Sequence, residues 1–222
     1  MQVLIIGLVM VLLTSCGLTV KSNVTVFSQL SPNDIQGKQI VLLPESPSLL
    51  NSLEFSTYKA KLTPQFKKIG FIVVNDSNEA DYLAIIHYGI DKGRLVTKTY
   101  SSPVYGFSGG GTTYGSGTFS DNYGGAGSYN NMTQTTPNYG ITGSQIGSQT
   151  VSLYTRFLAI EIVDRRSIKD KRAINLYEGR VVSTGTCPSM AGVFDPMAKA
   201  LFQNFFAKNG STKTVNVSGA HC

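Results

Sequence analysis

The cysteine side chains are the residues of this sequence whose positions most clearly predict chemistry. Cys16 directly follows Leu13, Thr14 and Ser15, at the end of an apolar stretch that covers residues 3–13. A peptidase that cleaves before a cysteine needs a branched or long apolar residue three positions upstream, with small residues between. Leu13, Thr14 and Ser15 meet that need. The spacing therefore predicts cleavage before Cys16 and covalent modification of its thiol.

This segment resembles the bacterial lipobox. The resemblance implies a lipoprotein signal peptide over residues 1–15, a thioether-linked diacylglycerol on Cys16 and a lipid-anchored linker over residues 16–23. A single acyl chain holds a protein only marginally, so stable membrane anchoring takes two or more chains. Gly17, rather than an Asp, after the cysteine favours the outer membrane. We expect the protein to face the periplasm, with exposure at the cell surface as the alternative.

The apolar stretch allows three other interpretations. A transmembrane helix needs about 20 apolar residues, and this stretch ends near Leu13, which makes it too short to span. An ordinary secretory signal more typically ends in a small-x-small pattern than in a lone cysteine. The absence of Lys and Arg from residues 1–15 also leaves a misassigned start site open.

The other two cysteines form a candidate disulfide. If lipid occupies Cys16, Cys187 and Cys222 remain as a pair, and a pair in an oxidising periplasm is typically bonded. The bond would hold the C-terminus against the domain. Two free thiols are one alternative, and a metal site that uses His221 is another, although two adjacent ligands without a second cluster are a weak signal. We predict the disulfide, and neither a metal nor a cofactor.

His87 is the residue with the best potential for acid–base catalysis. It lies in the strongest strand pattern of the chain, residues 80–90, but no Ser or Cys nucleophile stands in a recognisable frame with it. We therefore predict a structural sheet histidine and a protein that is not an enzyme. A hydrolase, the alternative, would need a pocket that gathers His87 with at least one carboxylate. The carboxylates near predicted strands are Asp81, Glu161, Asp164 and Glu178.

Composition favours one packed domain with an unusual insertion. The chain has 222 residues, 41% of them hydrophobic, which is enough for a core over residues 24–208 with a tail over 209–222.

The net charge of +6 comes from scattered Lys and Arg, so no nucleic-acid partner is predicted. Residues 100–149 are rich in Gly, Ser, Thr, Asn and Tyr. We predict a flexible loop there, because such a tract buries too little apolar surface to offset its ordering entropy.

Hydrophobic periodicity predicts an α+β fold. The expected architecture is a mostly antiparallel or mixed five-stranded sheet with two helices on one face and the long Gly/Tyr-rich loop inserted between strands. Pro64 predicts a kink in the first helix, or a restart with Thr63 as cap and Pro64 in the first turn. Asp195 and Pro196 form a cap-and-first-turn pair for the second helix, and Pro196 is a kink if that helix begins earlier. The predicted strands are residues 38–43, 71–74, 80–90, 151–163 and 173–184, and the predicted helices are residues 55–69 and 188–208.

The order of elements resembles small bacterial envelope lipoproteins that carry the domain of unknown function catalogued as number 4136. The resemblance rests on the lipobox, on Ala80-Asp81-Tyr82-Leu83 after an amphipathic helix, on residues 158–164 and on Tyr177-Glu178-Gly179. It covers most of residues 24–208, although Tyr177 stands where such proteins commonly have Trp. The family implies no catalytic residues.

Together these patterns predict a lipid-anchored envelope protein that acts as a non-catalytic binding or accessory module. Its partners would be the membrane, through the lipid on Cys16, and an envelope protein. The alternative is a surface-exposed adhesin or matrix component, in which spaced tyrosines of residues 100–149 stack on glycan or protein surfaces.

Overall fold

The computed structural model of the protein describes residues 18–120, 126–169 and 173–222. The chain divides into a core unit, Met1–Leu95 with Ser152–Cys222, and an inserted unit, Val96–Val151. The inserted unit overlaps the insertion that the sequence predicted over residues 100–149. The predicted signal peptide over 1–15 and the predicted lipid site at Cys16 lie outside the described residues.

The described residues form four α-helices and ten strands. No helix among them is both long and apolar enough to cross a membrane. The helices are α1 (Pro32–Ile35), α2 (Leu53–Ile69), α3 (Arg165–Lys169) and α4 (Met190–Gln203), with a 3-10 turn at Pro47–Leu49. The strands are β1 (Leu18–Ser28), β2 (Gln39–Pro44), β3 (Ile72–Val74), β4 (Tyr82–Ile90), β5 (Arg94–Ser108), β6 (Gly111–Ser120), β7 (Ala126–Thr135), β8 (Asn138–Asp164), β9 (Asn175–Gly185) and β10 (Ser211–Ala220).

Eight of these strands form one mixed sheet in the order β10-β1-β9-β8-β4-β2-β3, with β5 paired to β8. Strand β2 runs parallel to β3 and β4, whereas β4, β8, β9, β1 and β10 pair antiparallel. Strands β6 and β7 form a separate two-stranded sheet. The predicted α+β class with a mixed sheet is confirmed, but the predicted number of five strands is wrong.

Two of the missing strands occupy segments predicted to be connections. Strand β1 covers most of the predicted linker over 16–23, and β10 lies in the predicted tail over 209–222. The two strands pair antiparallel over most of their length. In β1 the side chains of Val20, Val24 and Val26 are buried and alternate with outer-face residues that are mostly polar and exposed. Polar residues on the outer face masked this period in the sequence.

Helix α2 runs without interruption through Pro64, so the predicted restart at Thr63 is wrong. The Ser52 side chain accepts a hydrogen bond from the Phe55 N–H at 3.4 Å and caps the start. Gly70 ends the helix at a φ of 118°, a left-handed conformation that glycine adopts without steric cost. Proline removes one backbone donor, and the apolar stripe of α2 compensates for that loss. Its buried members are Phe55, Tyr58, Leu62 and Phe66.

Helix α4 begins at Met190, within the predicted range of 188–208 but ahead of the predicted cap at Asp195. Its cap is Ser189, whose Oγ accepts from the Gly192 N–H at 3.2 Å, and not Asp195. Asp195 lies inside the helix, where its carboxylate pairs with Lys61 of α2 at 2.8 Å. Pro196 is buried within the helix rather than in its first turn. The helix also ends before the predicted limit of 208, at Gln203.

Both long helices contribute to one core on one side of the sheet. The ring of Tyr58 stacks on that of Phe194 with centroids 4.0 Å apart, and Phe66 meets Phe202 edge-on at 4.9 Å. These aromatic pairs join α2 to α4. The sheet contributes every second residue of its central strands, among them Ile40, Leu42, Ala84, Ile86, Leu158, Ile160, Ile162 and Val181.

The inserted unit contains strands where the sequence predicted a flexible loop over 100–149. Strand β6 pairs with β7 over its whole length, and Gly117 lies directly opposite Tyr129, as Phe119 does opposite Gly127. A Cβ built on Gly127 would lie 2.6 Å from Phe119 Cζ, so the ring covers the bare glycine backbone. Cross-strand cover of this kind stabilises glycine in a sheet. The composition that predicted a loop thus supplies aromatic–glycine pairs instead.

We predict that Gly117→Val weakens the β6–β7 pair, whereas Gly115→Val does not. A side chain at 117 would displace the Tyr129 ring, but a Cβ at 115 meets nothing within 4 Å. Both substitutions gain the same β-propensity, so their difference reports the ring contact, roughly 0.2 to 1 kcal/mol. Amide exchange over 126–135 should accelerate by up to about fivefold in Gly117→Val relative to Gly115→Val. Equal exchange in the two variants would contradict the aromatic–glycine account.

Candidate functional site

The candidate site is a set of side chains on the face of the core sheet that points away from α2 and α4. We call it the open face. Its residues are half-buried or exposed, whereas those that alternate with them belong to the core. Strand register arranges the open face in two adjacent rows. One row contains His87, Ala159, Arg180 and Thr25, and the other contains Ile85, Glu161, Glu178 and Phe27.

His87 lies between two carboxylates on the open face. Its Nδ1 is 2.9 Å from Glu45 Oε2, and its Nε2 is 3.6 Å from Glu161 Oε1. An ionised carboxylate only accepts, so Nδ1–H donates to Glu45. Nε2 is buried and makes no hydrogen bond to another described residue. The two carboxylates face opposite sides of the ring, an arrangement that orients the imidazole but presents no nucleophile to it.

Glu45 is a site residue that sequence reasoning missed. It follows the end of β2 by one residue and therefore carries no strand signal of its own. Leu43 of β2 pairs with Ile85 of β4, and continuing this parallel register brings Glu45 beside His87. The pairing of two strands that are distant in sequence creates the contact.

Glu161 and Glu178 lie directly opposite each other on β8 and β9. Like charges at such positions destabilise a sheet. Glu178 accepts a hydrogen bond from Asn175 Nδ2 at 2.9 Å. Together with Phe27 and Arg180 the two carboxylates line a hollow of roughly 240 Å³. Pockets for small-molecule ligands are typically about 300 to 1,000 Å³, so this hollow better suits one side chain of a larger partner.

The other two carboxylates that the sequence singled out do not join His87. Asp81 Oδ2 accepts from the Gln39 N–H at 3.0 Å and ties β4 to the start of β2. Asp164 Oδ1 accepts from the Arg166 N–H at 2.8 Å and begins α3. Both carboxylates therefore have structural roles at strand ends.

Cys187 and Cys222 form a disulfide in the structure, with Cα atoms 5.7 Å apart. The C-terminal segment also docks on the start of α4, because the His221 N–H donates to the Gly192 carbonyl at 2.9 Å. A Cβ on Gly192 would collide with the His221 carbonyl, so only glycine permits this approach. No group of three or more potential metal ligands occurs within the residues that the structure covers.

Arg156 is a second residue that sequence reasoning missed. It is 3% exposed and points to the same side of β8 as the core residues of that strand. Its Nη1 donates to the Cys187 carbonyl and its Nη2 donates to Ser183 Oγ, both at 3.0 Å. Burial lowers the pKa of the Arg156 guanidinium from its ordinary value, and the negative charge of Asp91 opposes this shift. Arg156 thus links the disulfide to β9. The sequence did contain a sign of this burial, because Arg156 alternates in step with the apolar residues Leu158 and Ile160.

Comparisons with known proteins do not identify a family. No family model and no curated protein matches the chain, so the resemblance to envelope lipoproteins stays a prediction. A crystal structure of a PDZ domain protein from Parabacteroides distasonis ATCC 8503 is similar with a TM-score of 0.40 and 15% identity. The similarity covers 96% of this chain and 42% of that one. A likeness this distant defines neither fold nor function.

We predict that Cys222→Ser lowers the free energy of unfolding. The disulfide joins residues 35 apart in sequence, and losing a loop closure of that size costs about 3 to 4 kcal/mol in the chain-entropy model. Urea unfolding measures the change. His221→Ala is the matched control, because it alters the neighbouring exposed residue and keeps the bond. Reductant should destabilise the parent to the level of Cys222→Ser and leave the variant unchanged; a parent insensitive to reductant would contradict the prediction.

Proposed function

We propose that this chain is a lipid-anchored protein of the bacterial envelope that acts as a non-catalytic binding or accessory module. It would be held at the outer membrane through Cys16 and face the periplasm. The sequence from Leu13 to Cys16 supports the anchor. The disulfide between Cys187 and Cys222 is consistent with this address, because such bonds persist in oxidising compartments.

The open face is the observation that carries the proposed binding role. Phe27 is 51% exposed on it, beside the hollow that Glu161, Glu178 and Arg180 line. Aromatic residues and arginine are enriched at protein interfaces. The hollow has room for one side chain, so an envelope protein suits it better than a small substrate. Neither a cofactor nor nucleic acid is part of the proposal.

Binding suits the surroundings of His87 better than catalysis does. General acid–base catalysis needs a group within hydrogen-bond reach of a reacting atom. The polar groups near the His87 ring, among the residues the structure describes, are the carboxylates of Glu45 and Glu161. Nδ1 is occupied by Glu45, and Nε2 is buried. The structure thus gathers His87 with two carboxylates, as a hydrolase would need, but His87 does not line the hollow beside Glu161.

A surface adhesin or matrix component is a second candidate, which one observation favours. The inserted unit exposes large aromatic side chains on its strands, and Tyr114 is 76% exposed. Aromatic rings stack on sugar and protein surfaces with a polar edge still in water. In this case the inserted unit, rather than the open face, would make the contact.

The anchor predicts the behaviour of a Cys16→Ser variant in cells. Without the thiol no thioether lipid forms and the leader is not cleaved, so the variant should lack the lipid mass, keep residues 1–15 and fail to reach the outer membrane. Flotation on a density gradient and mass spectrometry of the N-terminus measure these effects. Ser15→Ala, which keeps a small residue before the cysteine, is the control that should still be lipidated. Identical flotation of Cys16→Ser and the parent would overturn the anchor.

The binding proposal predicts position-dependent crosslinking in living cells. A photoreactive residue at Phe27 should yield a discrete adduct, and Arg180→Glu in the same chain should reduce it severalfold. Leu53 is the control position, because it is 87% exposed but lies on α2. Adducts from Tyr114 alone would favour the adhesin. Equal adducts from Phe27 and Leu53, or an Arg180→Glu chain that crosslinks as well as the parent, would contradict a role for the open face.

A further inference from the structure

The two-stranded sheet of the inserted unit has open edges. Strand β6 pairs with β7 through ten consecutive residue pairs, from Gly111 with Thr135 to Ser120 with Ala126. Within the described ranges neither strand pairs with a third. In an antiparallel pair, half of the backbone N–H and C=O groups of each strand point away from its partner. Each outer edge therefore offers a row of donors and acceptors to another strand.

These edges lack the features that normally prevent strand addition. Proteins protect edge strands with charged side chains, proline or very short length, and β6 and β7 contain neither charge nor proline. Asp121 is the only charged residue between Lys98 and Arg156. The eight-stranded sheet has protected ends. Its edge strand β10 carries Lys213, and its edge strand β3 has only three residues.

The β6–β7 pair also leaves apolar surface uncovered. A two-stranded sheet alone in water is at best marginally stable, and three or more strands are the usual requirement. Tyr114, Phe119, Tyr129 and Met132 are each more than half exposed on this pair. Further strands would satisfy the outward backbone groups and place new cross-strand neighbours beside these side chains.

From these observations we infer that copies of this chain associate with one another by edge-to-edge pairing of β6 and β7. A matching partner must supply an extended strand of about ten residues without charges, and a second copy supplies two. The positive charges behind the net +6 lie outside residues 99–155, so like-charge repulsion is not concentrated at these edges. This inference does not depend on the proposed function.

Sedimentation of the full chain in detergent tests the inference. The parent should form dimers or larger assemblies as its concentration rises. Thr113→Lys with Asn130→Lys places a charge on each strand at positions that do not face each other, and it should weaken association at least about tenfold. Thr113→Gln with Asn130→Gln is the neutral control of similar length and should associate like the parent.

The lysines could weaken association by disrupting the β6–β7 pair itself, so amide exchange of the parent protein provides a second test. In the parent, exchange within 111–120 and 126–135 should slow as protein concentration rises, whereas exchange in β4 should not change. A parent that stays monomeric with concentration-independent exchange would overturn the inference. Association that the lysine and glutamine variants show equally would also overturn it, since another surface would then be responsible.

Discussion

The packing of α2 and α4 against one face of the sheet is the constraint on which the core unit depends. It commits alternate residues of β4, β8, β9 and β1 to the apolar interior and leaves their neighbours to form the open face. The position of His87 beside Glu161 follows from this alternation, since a shift of one residue in register would exchange the faces. Arg156 obeys the same phase, and its burial is tolerated because Cys187 and Ser183 accept its hydrogen bonds.

The sequence predicted those elements whose apolar period is complete within one segment. Helix α2 and strand β4 have long, regular stripes, so their positions were predicted closely. Strands β1 and β10 were missed because each stabilises the other across nearly the full length of the chain, as where Val24 pairs with Lys213. The candidate site divides in the same way: His87, Glu161 and Glu178 lie in clear strands, but Glu45 reaches the site only through the pairing of β2 with β4.

The inserted unit shows why composition misjudged residues 100–149. Counting aliphatic residues treats each side chain separately and therefore assigns little burial to a tract of Gly and Tyr. In the structure the partner of an aromatic ring is a glycine on the next strand, as with Tyr129 and Gly117 or Tyr100 and Gly147. A bare backbone lets the ring lie flat across it, so the residue that lowers strand propensity becomes the one that accommodates the ring. The strands of the inserted unit therefore depend on contacts between two strands, which counting single residues does not detect.

The β6–β7 sheet exposes apolar side chains, and its edges are unprotected, unlike the edge strands β10 and β3 of the eight-stranded sheet. The eight-stranded sheet covers one face with helices, carries a lysine on edge strand β10 and keeps edge strand β3 short, and these features protect its edges from strand addition. The β6–β7 sheet has neither a helix nor a third strand within the described residues, and its ring–glycine contacts act only between its two strands. The inferred pairing with a second copy would add the contacts that a two-stranded sheet alone lacks.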